Sequence, residues 1–218
     1  MVGVLLSEDG DALLAQRTKD QSHAGGWEFP GGKLEPGEER LAGLARELRE
    51  ELGIEIGPPR PLLRVLHRYP YGEVLLDVWV VRRFHGHPIG LDGQELRWCP
   101  IRDLPRANLL AADKPIVDAL ALPERIVCLS TEAYSIRSFS TKSQIERAAG
   151  LRGILCVNAA EASEAALRKA DFLVLGRPLP DSELAELCLS ISQPIFACGV
   201  DLETSWRLGA TGVNQLGS

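Results

Sequence analysis

Short apolar runs broken by turn residues fill most of the first ~120 residues, and one segment there carries a strong helical period. "VGVLL" and "ALLAQR" flank the turn "SEDGD" and predict a hairpin. "PLLRVLHRY" and "EVLLDVWVVRRF" flank "PYG" and predict another; "ELRWCPI" predicts a further strand and "DKPIVDALAL" a second helix. The strong helical period covers residues 39–52. On an ideal helix of ~100° per residue, Leu41, Leu44, Ala45, Leu48 and Leu52 fall on one stripe, with Gly53 as a natural C-cap. From Arg125 the texture changes. "RIVCLS", "GILCVN", "DFLVLG", "PIFACG" and "GVNQLG" are short apolar runs, mostly separated by helical patterns such as "AAEASEAALRKA" and "DSELAELCLSI". Strand and helix alternating at roughly 20-residue intervals predict parallel βα units. The expected fold class is α/β, with a boundary near Leu122–Glu124 separating domains 1–122 and 123–218. Five strands in ~94 residues are too few for a complete (β/α)₈ barrel, which needs about 200 residues or more. The second region is therefore expected to be a half-barrel, a small open sheet, or a unit that needs a partner.

Charge narrows the function classes. The net charge of −6 is shared by both halves and argues against stable nucleic-acid binding. "MVGVLLSEDG" lacks a basic leader and turns acidic early, so no secretion signal is expected. No apolar run approaches a membrane span. Cys99, Cys128, Cys156, Cys188 and Cys198 are scattered, mostly within apolar runs, and show no metal-ligand spacing; they read as reduced core residues of a cytoplasmic protein.

The helix at 39–52 raises a chemical question. Glu47, Glu50 and Glu51 fall within about 100° of one another, away from the apolar stripe. Two unit charges 4 Å apart repel by about 4 kcal/mol at an effective dielectric of 20, so three carboxylates facing a polyphosphate require divalent cations between them. Oxygen ligands of this kind select Mg²⁺ or Mn²⁺. A solvated acidic face is the plainer reading of such a cluster. Against it stand the Gly-Gly loop ahead, Glu38 on the approach and Arg46 beside the cluster. Gly32, Glu38, Arg46, Glu47, Leu48, Glu50, Glu51, Gly53 and Ile54 fit the pattern G-x5-E-x7-R-E-U-x-E-E-x-G-U, where U is aliphatic. That pattern resembles the Nudix box without departure.

The likeness extends through residues 1–122 and is closest to the MutT type, hydrolases that cleave 8-oxo-dGTP to the monophosphate and pyrophosphate. It implies a Nudix fold, a mixed sheet in an α/β/α sandwich. It implies metal binding by the Gly32 carbonyl, Glu47, Glu50 and Glu51, with Glu47 a candidate general base oriented by Arg46 and Glu38 a structural member. "LLAQRT" resembles the strand carrying a substrate-contacting arginine, here Arg17, and "WEFPGGK" places Phe29 at the substrate. Three departures stand out. The family's "EGQ" loop reads "LDGQEL", so Asp92 takes the place of a metal-binding glutamate, with Glu95 near enough to substitute. The base-reading asparagine is replaced in "AADKPIV" by Asp113, which also reads as a helix N-cap; Asn108 is the weaker alternative. The chain also starts a few residues later than family members do, which predicts a short first strand. His23 reads as a loop residue, and His85 and His87 in "HGHP" as a solvated turn.

"ADFLVLGRPLP", "PIFACGV" and "LGATGVNQLG" resemble the last strands of thiamine-phosphate synthase, part of a TIM barrel. The diphosphate loop and most of the preceding barrel are missing, so that synthesis is not expected. A scaffold, a remnant ligand-binding role or a homodimer interface is expected instead.

Overall fold

The first apolar run becomes β1 (Val2–Leu5), buried along its whole length. In this computed structural model, which describes residues 1–126, 151, 153–167 and 170–214, β1 finds its partner far along the chain. It pairs in parallel with β6 (Gly72–Val81), Val2 opposite Val78 through Leu5 opposite Val81. β5 (Arg60–Tyr69) lies on the other side of β6, giving the order β1-β6-β5. β5 and β6 are therefore neighbours joined at Pro70–Tyr71, as the pattern around "PYG" predicts.

The hairpin expected around "SEDGD" does not form as a ladder. Its turn is there, with the Ser7 N–H donating to the Asp11 carbonyl at 2.9 Å, but a single bridge from Leu6 to Ala12 links the two arms. β2 (Ala12–Gln16) instead enters a separate antiparallel sheet, between β3 (Trp27–Glu28) and β8 (Leu96–Cys99). Both arms are apolar and buried, so neither carries the alternation that would have fixed its partner. A short antiparallel pair, β4 (Glu55–Ile56) with β7 (Phe84–His85), leaves His85 and His87 exposed.

Helix α1 (Arg40–Leu52) matches the expected span. The Glu39 side chain caps it by accepting from the Leu41 and Ala42 N–H groups, and Gly53 ends it at φ 68°. The buried face is shifted from the expected stripe. Leu44, Leu48 and Leu52 are buried, but Leu41 is exposed and Gly43 lies inside. The cause is close approach: a Cβ on Gly43 would lie 2.4 Å from a methyl carbon of Leu34 and 2.8 Å from a carboxylate oxygen of Glu38. The loop before the helix thus takes the place against Gly43, and Leu41 turns outward. Leu44, Leu48 and Leu52 share one core with Leu5, Leu13, Ile54, Trp79 and Val81. This anchorage leaves the glutamate face of α1 free for chemistry.

After a 3₁₀ segment (Ile101–Arg106), α2 (Lys114–Leu120) forms where "DKPIVDALAL" predicts a helix. Beyond it, β9 (Arg125–Ile126), β10 (Gly153–Cys156), β11 (Phe172–Leu175), β12 (Ile195–Cys198) and β13 (Gly212–Asn214) build a parallel sheet in the order β10-β11-β12-β13-β9. Helices α3 (Ala159–Leu167), α4 (Asp181–Ser190) and α5 (Leu202–Arg207) intervene. The expected βα alternation is present, with α5 added to the pattern. Two compact units result: residues 1–60 with 66–117, and residues 61–65 with 118–218. Cys99, Cys156, Cys188 and Cys198 are buried free thiols; burial pushes Cys188 up to about 12 and Cys156 to about 11. Cys128 lies outside the described residues. Among the described residues, no helix is long and apolar enough to cross a membrane.

Candidate active site

Arg46 organises the carboxylate face of α1. Its guanidinium donates to both oxygens of Glu38 (2.8 and 2.9 Å), to Glu47 (3.0 Å), to Glu50 (3.0 Å) and to the Lys33 carbonyl (3.0 Å). The Arg46 guanidinium holds the Glu38 carboxyl down to about 2. Glu38 thereby ties the approach loop to the helix, and three carboxylates share one cation.

Glu51 is placed differently. One of its oxygens accepts the Gly31 N–H at 3.0 Å, and burial, with Glu47, Glu28 and Asp92 adding repulsion, pushes its carboxyl up to about 7. Gly31 and Gly32 make this approach possible. Gly31 sits at φ 143°, and a Cβ there would be 2.3 Å from the Met1 carbonyl oxygen. A Cβ on Gly32 would lie 2.0 Å from a carboxylate oxygen of Glu47. The paired glycines therefore let backbone lie directly against two of the box glutamates.

An open cleft adjoins Glu51. Gln16, Thr18 and Gln21 line one part, Phe29 and Glu28 another, and Asp92 and Gln94 a third. Gln94 secures the Asp92 loop: its amide donates to the Glu51 carbonyl at 3.2 Å, and its side-chain oxygen accepts the Asp92 N–H at 2.9 Å. The Asp92 backbone is thus held beside the helix end; its side chain and that of Glu95 are both exposed, and the Glu95 carbonyl accepts the Gln16 N–H at 2.8 Å.

The other expected substrate contacts lie towards β3. Phe29 is buried and lines the cleft. Arg17 donates from Nη1 to both oxygens of Glu28 (2.8 and 3.0 Å) and from Nε to the Ser22 carbonyl (2.5 Å). Asp113 is buried at 4 % exposure and hydrogen-bonded to the Phe29 backbone. Burial, then the Glu28 charge, pushes its carboxyl up to about 8, so it carries a proton at neutral pH and can donate as well as accept. Asn108 is exposed, and its carbonyl accepts the Trp27 N–H at 2.8 Å. Glu28 and Gly31 were not singled out from the sequence. Both stand inside the quoted stretch "WEFPGG", and Glu28 sits opposite Ala15 in the strand pair that carries Arg17 at its end.

A NUDIX domain model matches residues 1–120. The chain belongs to the Nudix family. It is 39% identical over 120 residues to the CTP pyrophosphohydrolase of Escherichia coli K12, covering 55% of this chain and 88% of the relative. It is 31% identical over 119 residues to the 8-oxo-dGTP diphosphatase of the same organism, covering 55% and 92%. A solved MutT NUDIX hydrolase from Burkholderia pseudomallei is 29% identical, with coverage of 54% and 96% and a TM-score of 0.48. The chain is accordingly a Nudix hydrolase, an enzyme acting on phosphoric anhydrides. Enzymes of this family generally use divalent metals such as Mg²⁺.

The donor chemistry here fits such an ion. Every candidate donor is an oxygen, the ligand type that Mg²⁺ and Mn²⁺ take. Among the described residues, no three acidic, His or Cys side chains converge on one point. Glu47 and Glu50 are turned to Arg46 and Glu51 to Gly31, so the ligand set lies on one face with its oxygens on protein partners.

Proposed function

We propose that this Nudix hydrolase is a Mg²⁺-dependent nucleoside triphosphate pyrophosphohydrolase acting on oxidised purine nucleotides such as 8-oxo-dGTP, with a role in nucleotide-pool sanitisation and DNA repair. The observation that carries the reading is the placement of Glu51: a half-buried carboxylate on the box helix, raised by burial and then by its acidic neighbours, and lining the cleft beside Asp92. The Gly32 carbonyl, Glu47, Glu50, Glu51 and Asp92 would hold Mg²⁺, with Mn²⁺ as a substitute. Bound there, the ion would neutralise phosphate charge and lower the pKa of water. Water adds to a phosphorus of the triphosphate, an anhydride P–O bond breaks, and the monophosphate and pyrophosphate leave with release of a proton. Glu47 is the candidate base, with Glu50 and Asp92 beside it; Arg46 fixes one Glu47 oxygen and leaves the other against Gly32. Phe29 and Asp113 form the base-facing end, and Arg17 steadies Glu28 there.

A second reading keeps the chemistry and changes the base to cytosine. Asp113 favours it, since a buried acid offers one donor and one acceptor, and the relative at 39% identity is named a CTP pyrophosphohydrolase. The second unit serves as a scaffold or a homodimer interface in either case. Pyrophosphate release across 8-oxo-dGTP, dGTP, CTP and ADP-ribose, with Mg²⁺ and with chelator, tests both readings. The first expects 8-oxo-dGTP to be turned over fastest and chelator to abolish release. CTP turned over fastest would select the second reading, and release undiminished by chelator would remove both.

A further inference from the structure

The segment between β2 and β3 is stapled at its neck and at its tip. At the neck, Arg17 and Gly26 pair at 2.9 Å, the Gly25 N–H donates to the Arg17 carbonyl at 3.0 Å, and the Gln16 amide donates to the Gly25 carbonyl at 3.1 Å. Thr18 and Gln21, held to each other at 2.8 Å, line the cleft from this loop. At the tip stands His23, with φ 57°, a left-handed conformation that a non-glycine residue keeps only where its surroundings hold it. What holds it comes from another hairpin: His23 Nε2 lies 2.8 Å from the Tyr71 hydroxyl.

Tyr71 is 68 % exposed, so core packing does not explain its place. Its ring stacks on Tyr69, centroids 5.1 Å apart and planes within 5°. Tyr69 in turn is hydrogen-bonded through its hydroxyl to the backbone of Ala112, next to the buried Asp113. The hairpin tip therefore touches the cleft loop through both tyrosines, the Tyr69 ring lying 5.4 Å from that of His23, and reaches the Asp113 turn through Tyr69.

We propose that Tyr71 latches the 18–25 loop over the cleft through His23, and that the stacked Tyr69–Tyr71 pair couples this latch to the Asp113 turn, so that the two tyrosines set the slot that selects the nucleobase. Both are positioning residues, and the inference rests on the nucleotide reading above. Tyr71→Phe removes one hydroxyl and keeps the stack; His23→Ala removes the other partner. The nucleotide that the parent turns over best should show KM raised about 5- to 20-fold in each variant, the scale of one lost hydrogen bond, with kcat within about twofold. The double variant should be no worse than His23→Ala alone, because the contact that Tyr71→Phe breaks is already gone once the imidazole is removed. Discrimination between 8-oxo-dGTP and CTP should narrow. Without nucleotide, trypsin should cut after the exposed Lys19 several times faster in Tyr71→Phe than in the parent, at an unchanged melting temperature. An unchanged KM, additive effects in the double variant, or equal cleavage at Lys19 would overturn the latch. A parent that hydrolyses no nucleotide would instead overturn the nucleotide reading, and the trypsin comparison would still decide the latch.

Discussion

Glu38, Glu47 and Glu50 each meet the Arg46 guanidinium, whereas among the described residues Glu51 accepts a backbone N–H, that of Gly31 at 3.0 Å. The cost of burying its charge is therefore answered least by the protein itself, which makes it the side chain where an external cation gains most. Glu51→Gln keeps the shape and an oxygen for the Gly31 N–H while deleting the charge. Pyrophosphate release in Mg²⁺ should fall by about 10²–10³-fold, with the melting temperature equal or higher. A variant that retained parental turnover would remove Glu51 from the ligand set. Asp113 supports a pH prediction. Its carboxyl stands at about 8 in the folded chain, far above an unfolded aspartate near 3.8. Between those values the unfolded state sheds a proton that the folded state keeps, so this group lowers stability progressively as pH rises from about 4 to 8. Asp113→Asn lacks that loss. Its melting temperature relative to the parent should climb between pH 5 and pH 8, and a difference constant with pH would contradict the burial assignment. Much of this site was legible in sequence, since the box places its glutamates on one helix at fixed spacing. The tie of Glu28 to Arg17 was not, because a cross-strand ion pair depends on which strands become neighbours.

On the scale of elements, α1 spans the residues its period predicts, and its end is the sharpest case. Gly53 closes the helix at φ 68°, returning its N–H to the Arg49 carbonyl at 2.9 Å. A Cβ there would meet nothing nearer than Leu91 at 3.5 Å, so Gly53→Ala tests backbone conformation free of crowding. The expected loss is about 1 kcal/mol in denaturant unfolding, with Gly53→Asn recovering part of it. No loss in the alanine variant would mean that the cap relaxes out of the left-handed region. The same helix shows where periodicity stops. The stripe from Leu41 to Leu52 treats the helix as isolated, and it is the Leu34–Glu38 loop packed on Gly43 that turns Leu41 outward. The first expected hairpin failed for a related reason. A turn can be read from "SEDGD", but β1 pairs with residues 76 positions away and β2 pairs in β8 with residues 81 to 87 positions away.

For the whole molecule, the alternation after Arg125 was enough to foresee a parallel sheet, because each short apolar run needs a crossover before the next. What no local pattern reveals is that residues 61–65, the start of β5, group with the second unit. One contact within that unit makes the grouping testable. Thr211 is 4 % exposed; its hydroxyl donates to the Leu62 carbonyl at 2.6 Å and accepts the Ile195 N–H at 3.2 Å. The side chain thus satisfies two backbone groups separated by more than a hundred residues of chain. Thr211→Val keeps the volume and deletes both hydrogen bonds, leaving the Leu62 carbonyl without this donor in a buried place. The expected cost is about 1–3 kcal/mol in urea unfolding, with Thr211→Ser close to the parent because the hydroxyl remains. The isosteric comparison separates hydrogen bonding from packing: a serine variant as unstable as the valine one would make the Thr211 methyl, and not its hydroxyl, the feature that stabilises this contact within the second unit.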